Sequence, residues 1–242
     1  MTRRLALVTI WLLAGHALAA ALFWLLLRVP ESSTVMLGLS ALVSLACAAT
    51  VAWVHGTALA AWRADVPFVR SVLRGWATVP AVLLGAILFL ACWWLTARAL
   101  HWHAAYAGQI DAWIIAHSGK SDTAWLHRAI EWTVWVLRWG VGLSVSMSLA
   151  AWVLAVGARG AARGGWIRFG LDPRRWVPIA LLAGLAIALP WQWVYWRPRH
   201  LSLPVEPWFV AVKLGTMAVV AAAAWALAMR IATPRSPPRQ RT

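Results

Sequence analysis

Six long apolar runs divide the chain, and short turns rich in arginine, proline or glycine separate them. They extend from about Leu5 to Leu27, Val35 to Val54, Val79 to Leu95, Thr123 to Val156, Trp176 to Trp196, and from Glu206-Pro207 to Ile231. A helix needs about 20 apolar residues to cross a bilayer, and its own backbone bonds satisfy every peptide group there. The pattern therefore predicts an all-α fold, a polytopic transmembrane helical bundle of about six spans in one domain over residues 1–231. Ala17-Leu18-Ala19 in the first run offers small residues of the kind cleaved in signal peptides. The run nevertheless continues through Phe23 and Trp24, too long for a signal core, and reads as an uncleaved span.

The connectors carry their own periodicity. In the basic stretch 57–76, Val69, Val72 and Leu73 fall on one helical face, which predicts a short interfacial helix on the bilayer. Ile110, Trp113 and Ile114 predict a second over Gln109 to His117, within an outer-face cap of about residues 99–122. Ser121 or Asp122 is expected to cap the fourth helix, and Asp172-Pro173 reads as an N-cap followed by proline at the first helical position. Pro190 frees a carbonyl one turn back, so a kink is expected in the fifth span, with Gln192 available to local polar groups. The stretches entering the third and fifth spans share arginine, tryptophan and proline, which is ordinary chemistry for a basic loop entering a membrane and does not require a duplication. The Pro- and Arg-rich tail, 232–242, is expected to be a disordered, basic cytoplasmic segment.

Composition agrees with the pattern. The chain of 242 residues is 62% hydrophobic and 12% charged, well below the charge content of a soluble domain. Its 22 Lys+Arg against 7 Asp+Glu would suggest nucleic acid in a soluble protein, but no polar domain with interleaved aromatics exists to carry that function. Six spans put both termini on one side, where 14 basic residues fall: Arg3, Arg4, Arg63, Arg70, Arg74, Arg159, Arg163, Arg168, Arg174, Arg175, Arg230, Arg235, Arg239 and Arg241. The other side holds six, namely Arg28, Arg98, Lys120, Arg128, Arg197 and Arg199. The imbalance predicts cytoplasmic termini in a bacterial plasma (inner) membrane. Anionic lipid headgroups are the expected partners of Arg63, Arg70, Arg74, Arg159, Arg163, Arg168, Arg174 and Arg175. A membrane-protein partner or a homo-oligomer is compatible with a chain of this size. The 21 tryptophans cluster near the ends of the runs, where indole favours the headgroup boundary.

Candidate chemistry concentrates between His101 and Trp139. Arg128, Glu131, Trp135 and Arg138 follow a 3-4-3 spacing and share one face of the fourth helix. An unpaired intramembrane charge is costly, which predicts a Glu131–Lys213 pair between the fourth and sixth helices. Arg128, Glu131, Arg138, Gln192 and Lys213 are accordingly the expected ligand-binding residues of an outward-facing polar cavity, and a structural ion-pair network is the competing reading. His101, His103, His117, His127 and His200 fall on the outer side, but their spacing matches no zinc pattern, and no metal site is expected. His16 lies alone near mid-membrane and His55 at the edge of its span, so no axial pair for haem is expected, nor any other cofactor. Cys47 and Cys92 read as small apolar packing residues. No catalytic residue is assigned, and an enzymatic role is not favoured.

The expected function is thus binding or passage of a small or lipidic anionic ligand, or an accessory role in the envelope. A membrane-embedded enzyme acting on a lipid-linked substrate at the outer face, with a histidine or Glu131 as base, is the first alternative, and a purely structural assembly subunit the second. Orientation is checked most directly by reporter fusions. An alkaline phosphatase joined after residue 242 should be inactive and one placed in the turn near residue 120 active; the reverse pattern would overturn the topology.

Overall fold

The computed structural model describes residues 2–30, 33–63, 67–119, 122–195 and 206–234, and these are helical almost throughout. Helix α1 (Thr2–Leu26) is followed by α2 (Thr34–Ala61), the short α3 (Phe68–Leu73), a 3₁₀ turn (Gly75–Thr78) and the long α4 (Val79–Ser118). Helix α5 (Ala124–Val136) runs through a π-helical turn (Leu137–Gly142) into α6 (Leu143–Ala161), and α7 (Gly165–Leu171) follows. Helix α8 (Pro173–Ala183) passes through a second π turn (Gly184–Ala188) into α9 (Leu189–Tyr195), and α10 is Glu206–Ala232. Among the described residues five helices are long and apolar enough to cross a membrane: Thr2–Leu26, Thr34–Ala61, Gly75–Ser118, Ala124–Ala161 and Glu206–Ala232. The expected all-α membrane bundle is what the chain forms.

The expected fifth span corresponds to the interrupted run α8–α9, and its last residue, Trp196, lies outside the described residues, as do Ser121 and the tail from residue 235. The π turn at Gly184–Ala188 sits one turn before Pro190, where a missing N–H loosens the ladder. Asp172 caps α8 as its position predicts, accepting a 3.0 Å bond from the Arg174 backbone N–H, with Pro173 first in the helix.

Two connectors differ from expectation. Helix α2 continues through His55 and Gly56 to Ala61, because no residue between 55 and 61 breaks a helix strongly and its face there is buried against neighbours. Only Phe68–Leu73 forms the short helix expected in that region. Gln109–His117 is not a separate interfacial helix. It is the last part of α4, which runs unbroken for 40 residues, about 60 Å, until Gly119 adopts a left-handed φ of 67° and donates to the Ile115 carbonyl. Its apolar stretch ends at Ala97, and residues 99–118, within the expected outer-face cap, continue α4 as a helical arm. The α5–α6 run is comparably long, and the two make an antiparallel hairpin.

The core lies toward the end that carries both termini. Val8, Leu12, Val54, Ala58, Met147, Ile179, Ala226 and Met229 are buried there, from α1, α2, α6, α8 and α10. Small residues let the helices approach. A Cβ at Gly85 would lie 2.7 Å from the Ser146 carbonyl oxygen and one at Gly140 3.0 Å from the Ala180 Cβ. Arginines cap the frayed helix ends at this side: Arg63 donates to the Leu154 carbonyl at 2.6 Å, Arg175 to that of Ile231 at 2.6 Å, and Arg4 to that of Arg63 at 3.1 Å. Helix α6 needs such a cap because its path turns at Gly157, where φ is 76°.

Gly85→Leu should therefore destabilise the protein by about 1–3 kcal/mol through overpacking. At Gly108, where nothing lies within 4 Å of an added Cβ, alanine should be neutral or slightly stabilising. Denaturant unfolding in detergent measures both, and equal losses at the two positions would contradict the α4–α6 contact.

Candidate functional site

The α4/α5–α6 hairpin keeps one register along its length, and its inner face changes from small to polar as it leaves the core. Gly85 meets Ser146 and Ala150, and Cys92 faces Gly142. Next, Arg138 Nε donates to Thr96 Oγ1 at 3.1 Å, and beyond that His103 and Asp111 meet His127. As the index climbs on α4 it falls correspondingly on the partner, as an antiparallel pair requires.

Arg138 stands at the end of the apolar stretch of α4 that lies away from the termini. Its guanidinium carbon lies 3.8 Å from the centroid of the Trp93 ring, a cation–π contact, and the residue is half-buried. Trp93, Trp139 and Phe89 form one aromatic cluster, with centroids 5.4 Å apart for the two indoles and 5.5 Å for Phe89 and Trp139. The π turn over Leu137–Gly142 includes Arg138 and Trp139 and widens the helix at this point. No carboxylate lies within 4 Å of Arg138 among the described residues, and Nε is its one donor with a bonded partner there. Four N–H donors of the fork remain for an acceptor. Similar arginine–tryptophan pairs stand at the end of α1, Arg28 at 4.1 Å over Trp24, and again at the end of the α4 stretch, Arg98 at 5.7 Å over Trp102.

Above Arg138 the arm carries a hydrogen-bonded chain. His127 Nε2 donates to Asp111 Oδ1 at 2.8 Å, and His127 Nδ1 lies 2.9 Å from His103 Nε2. Hydrogen bonds from Thr123 and then His127 hold the Asp111 carboxyl below its ordinary range. The chain is linear, since the two nitrogens of His127 are spent on partners in opposite directions. Among the described residues no three His, Cys, Asp or Glu side chains converge as metal ligands.

The sequence-derived residues separate. Arg128 and Glu131 are exposed on α5, with Arg128 Nε bonded to the Ala124 carbonyl at 3.3 Å. Lys213 is half-buried on α10, its ammonium 5.9 Å from the Phe209 ring centroid, and no Glu131–Lys213 ion pair forms. Gln192 is exposed on α9. The stripe facing α4 is His127, Ile130, Val134 and Arg138, displaced by about one residue from Arg128–Glu131–Trp135. Both stripes obey helical periodicity, and the register set where Gly85 meets Ser146 brings the second one against α4.

At the other end, Arg63 and Arg175 are half-buried carbonyl caps, whereas Arg70, Arg74, Arg159, Arg163, Arg168 and Arg174 are exposed. His55 is not at a span edge: its ring packs edge-to-face on His16 at 5.1 Å, and Nδ1 of each donates to the carbonyl one turn back, Leu12 at 2.7 Å and Val51 at 2.8 Å. His200, with Lys120, Arg197 and Arg199, lies outside the described residues.

The chain Asp111–His127–His103 was missed because its members are 16 and 24 positions apart on two helices. The signal available was the spacing of Leu100, His103, Ala107, Ile110 and Ile114, a single stripe continuing past the apolar stretch.

A carboxylate held below its ordinary range stabilises the fold at neutral pH, and that contribution disappears as pH falls through the lowered value. Asp111→Asn should lower the melting temperature at neutral and mildly acidic pH, with the gap to the natural protein closing only as pH falls through the lowered range of the carboxyl. A gap unchanged by acid would mean that the ionised carboxylate does not tie the arm together.

No protein-family model, curated protein or solved structure matches this chain.

Proposed function

We propose that this is a six-span protein of a bacterial plasma membrane, termini in the cytoplasm, that binds the anionic headgroup of a lipid or lipid-linked molecule at its outer mouth. The observation that carries the reading is Arg138: a guanidinium fixed by Thr96 and Trp93 at the end of an apolar span, with no carboxylate within 4 Å among the described residues. An arginine fork matches a phosphate bidentately, and indole beside it suits the boundary between acyl chain and headgroup. Arg28 and Arg98, also held on tryptophans at run ends, extend positive charge around the same level. The exposed arginines at the terminal end fit anionic headgroups of the inner leaflet.

A second reading rests on the 2.8 Å His127–Asp111 bond, a carboxylate–imidazole pair of the kind that serves a general base. In that reading the protein is an enzyme acting on the polar part of a lipid-linked substrate whose phosphate is held at Arg138.

Native mass spectrometry of protein extracted gently from its own membrane tests the first reading. A bound anionic lipid should be retained, and Arg138→Gln should reduce its occupancy by about tenfold, the scale of one charge-assisted contact. Glu131→Gln should leave it unchanged. Undiminished lipid in the Arg138 variant, or none in the natural protein, would count against an anion site there.

A further inference from the structure

The protons of the Asp111–His127–His103 chain can be counted from its geometry. An ionised carboxylate only accepts, so Nε2 of His127 carries the hydrogen of the 2.8 Å bond to Asp111. The 2.9 Å bond between His127 Nδ1 and His103 Nε2 requires one proton between the two nitrogens. With both imidazoles neutral, His103 supplies that proton and keeps a lone pair on Nδ1. A proton added at His103 Nδ1 leaves both hydrogen bonds in place, and the single positive charge of the ring pair then balances the Asp111 carboxylate. A second added proton puts hydrogens on both facing nitrogens, and the ring–ring bond must break.

The surroundings favour this behaviour. His103, His127 and Asp111 are each half-buried between α4 and α5, the two elements that meet there, so their contacts are shielded without being sealed from water. Thr123 bonds Asp111 as well, fixing the carboxylate. The other titratable groups described on the arm are exposed: His101, Tyr106 and His117 on α4, Asp122 in the turn, Arg128 and Glu131 on α5. Three of these are bonded locally, His117 to the Trp113 carbonyl, Arg128 to the Ala124 carbonyl and Asp122 to the Ala124 N–H.

We infer that Asp111, His127 and His103 form a proton-binding site on the projecting arm, taking up one proton with its hydrogen bonds intact and excluding a second while α4 and α5 stay packed. Its ligand is the hydrogen ion of the bulk phase facing the arm, and its occupancy sets whether the arm carries a net negative charge at Asp111 or none. The site does not depend on an anion at Arg138.

Imidazole ¹⁵N spectra of histidine-labelled full-length protein in neutral-lipid nanodiscs, recorded from about pH 5 to 8.5, provide the test. Two rings should respond together to a single uptake, with the second uptake separated from it toward acid. In His103→Gln, His127 should titrate in one step. Asp111→Asn, which retains a hydrogen-bond acceptor, should shift the joint uptake to lower pH by removing the balancing charge. Independent titration of His103 and His127, each unmoved by replacement of the other, would overturn the inference. So would a joint uptake unaffected by Asp111→Asn.

Discussion

The close approach of α4 to α6 at Gly85 is the contact from which the rest of the site follows. With no side chain on α4 at that point, the helix axes come near enough for the Ser146 carbonyl to fill the space. Once that pair is set, antiparallel geometry carries the register outward: Cys92 to Gly142, Thr96 to Arg138, His103 to His127. A shift of one residue on either helix would rotate every polar group of the seam by about 100° and leave Arg138 without Thr96 or Trp93. Packing between small residues near the termini thus positions charged groups about 12 to 40 Å away along the hairpin, reckoned from the helical rise.

The two ends of the bundle use arginine differently. Near the termini, arginine side chains turn inward to carbonyls that lack partners at helix ends, as Arg63 does on Leu154 and Arg175 on Ile231. At the far end, arginines lie on indole rings where apolar runs stop. The first arrangement satisfies backbone acceptors and closes the bundle. The second holds a cation on an indole face with hydrogen-bonding capacity to spare, and the arm beyond it adds a carboxylate and two imidazoles joined by hydrogen bonds. The Arg138–Thr96 contact and the Asp111–His127–His103 chain lie on one seam, about two turns apart along α4 from Thr96 to His103 and about three along α5 from Arg138 to His127.

Several readings from the residues fail for one reason, which is that periodicity along one helix does not name the partner helix. The stripe Arg128–Glu131–Trp135–Arg138 is real, yet α4 packs against the neighbouring stripe, so Glu131 faces outward and does not reach Lys213. His-Gly after an apolar run places His55 at a span edge, but buried contacts keep α2 helical through that pair to Ala61. His16 therefore has an imidazole beside it, although the two lie in different apolar runs. Residues 109–117 have interfacial spacing in isolation; joined to α4 with no breaker before Gly119, they remain helix.

Local signals in the chain specify the class of the molecule, a helical membrane bundle, together with the cap at Asp172 and the disturbance near Pro190. These properties depend on local hydropathy, on missing backbone donors and on residues adjacent in the chain. Tertiary structure alone decided which helix faces which, and hence that Arg138 meets Trp93 and that Asp111, His127 and His103 join. Those contacts follow from shape complementarity between small-residue faces far apart in sequence. No pattern within a single helix records that complementarity.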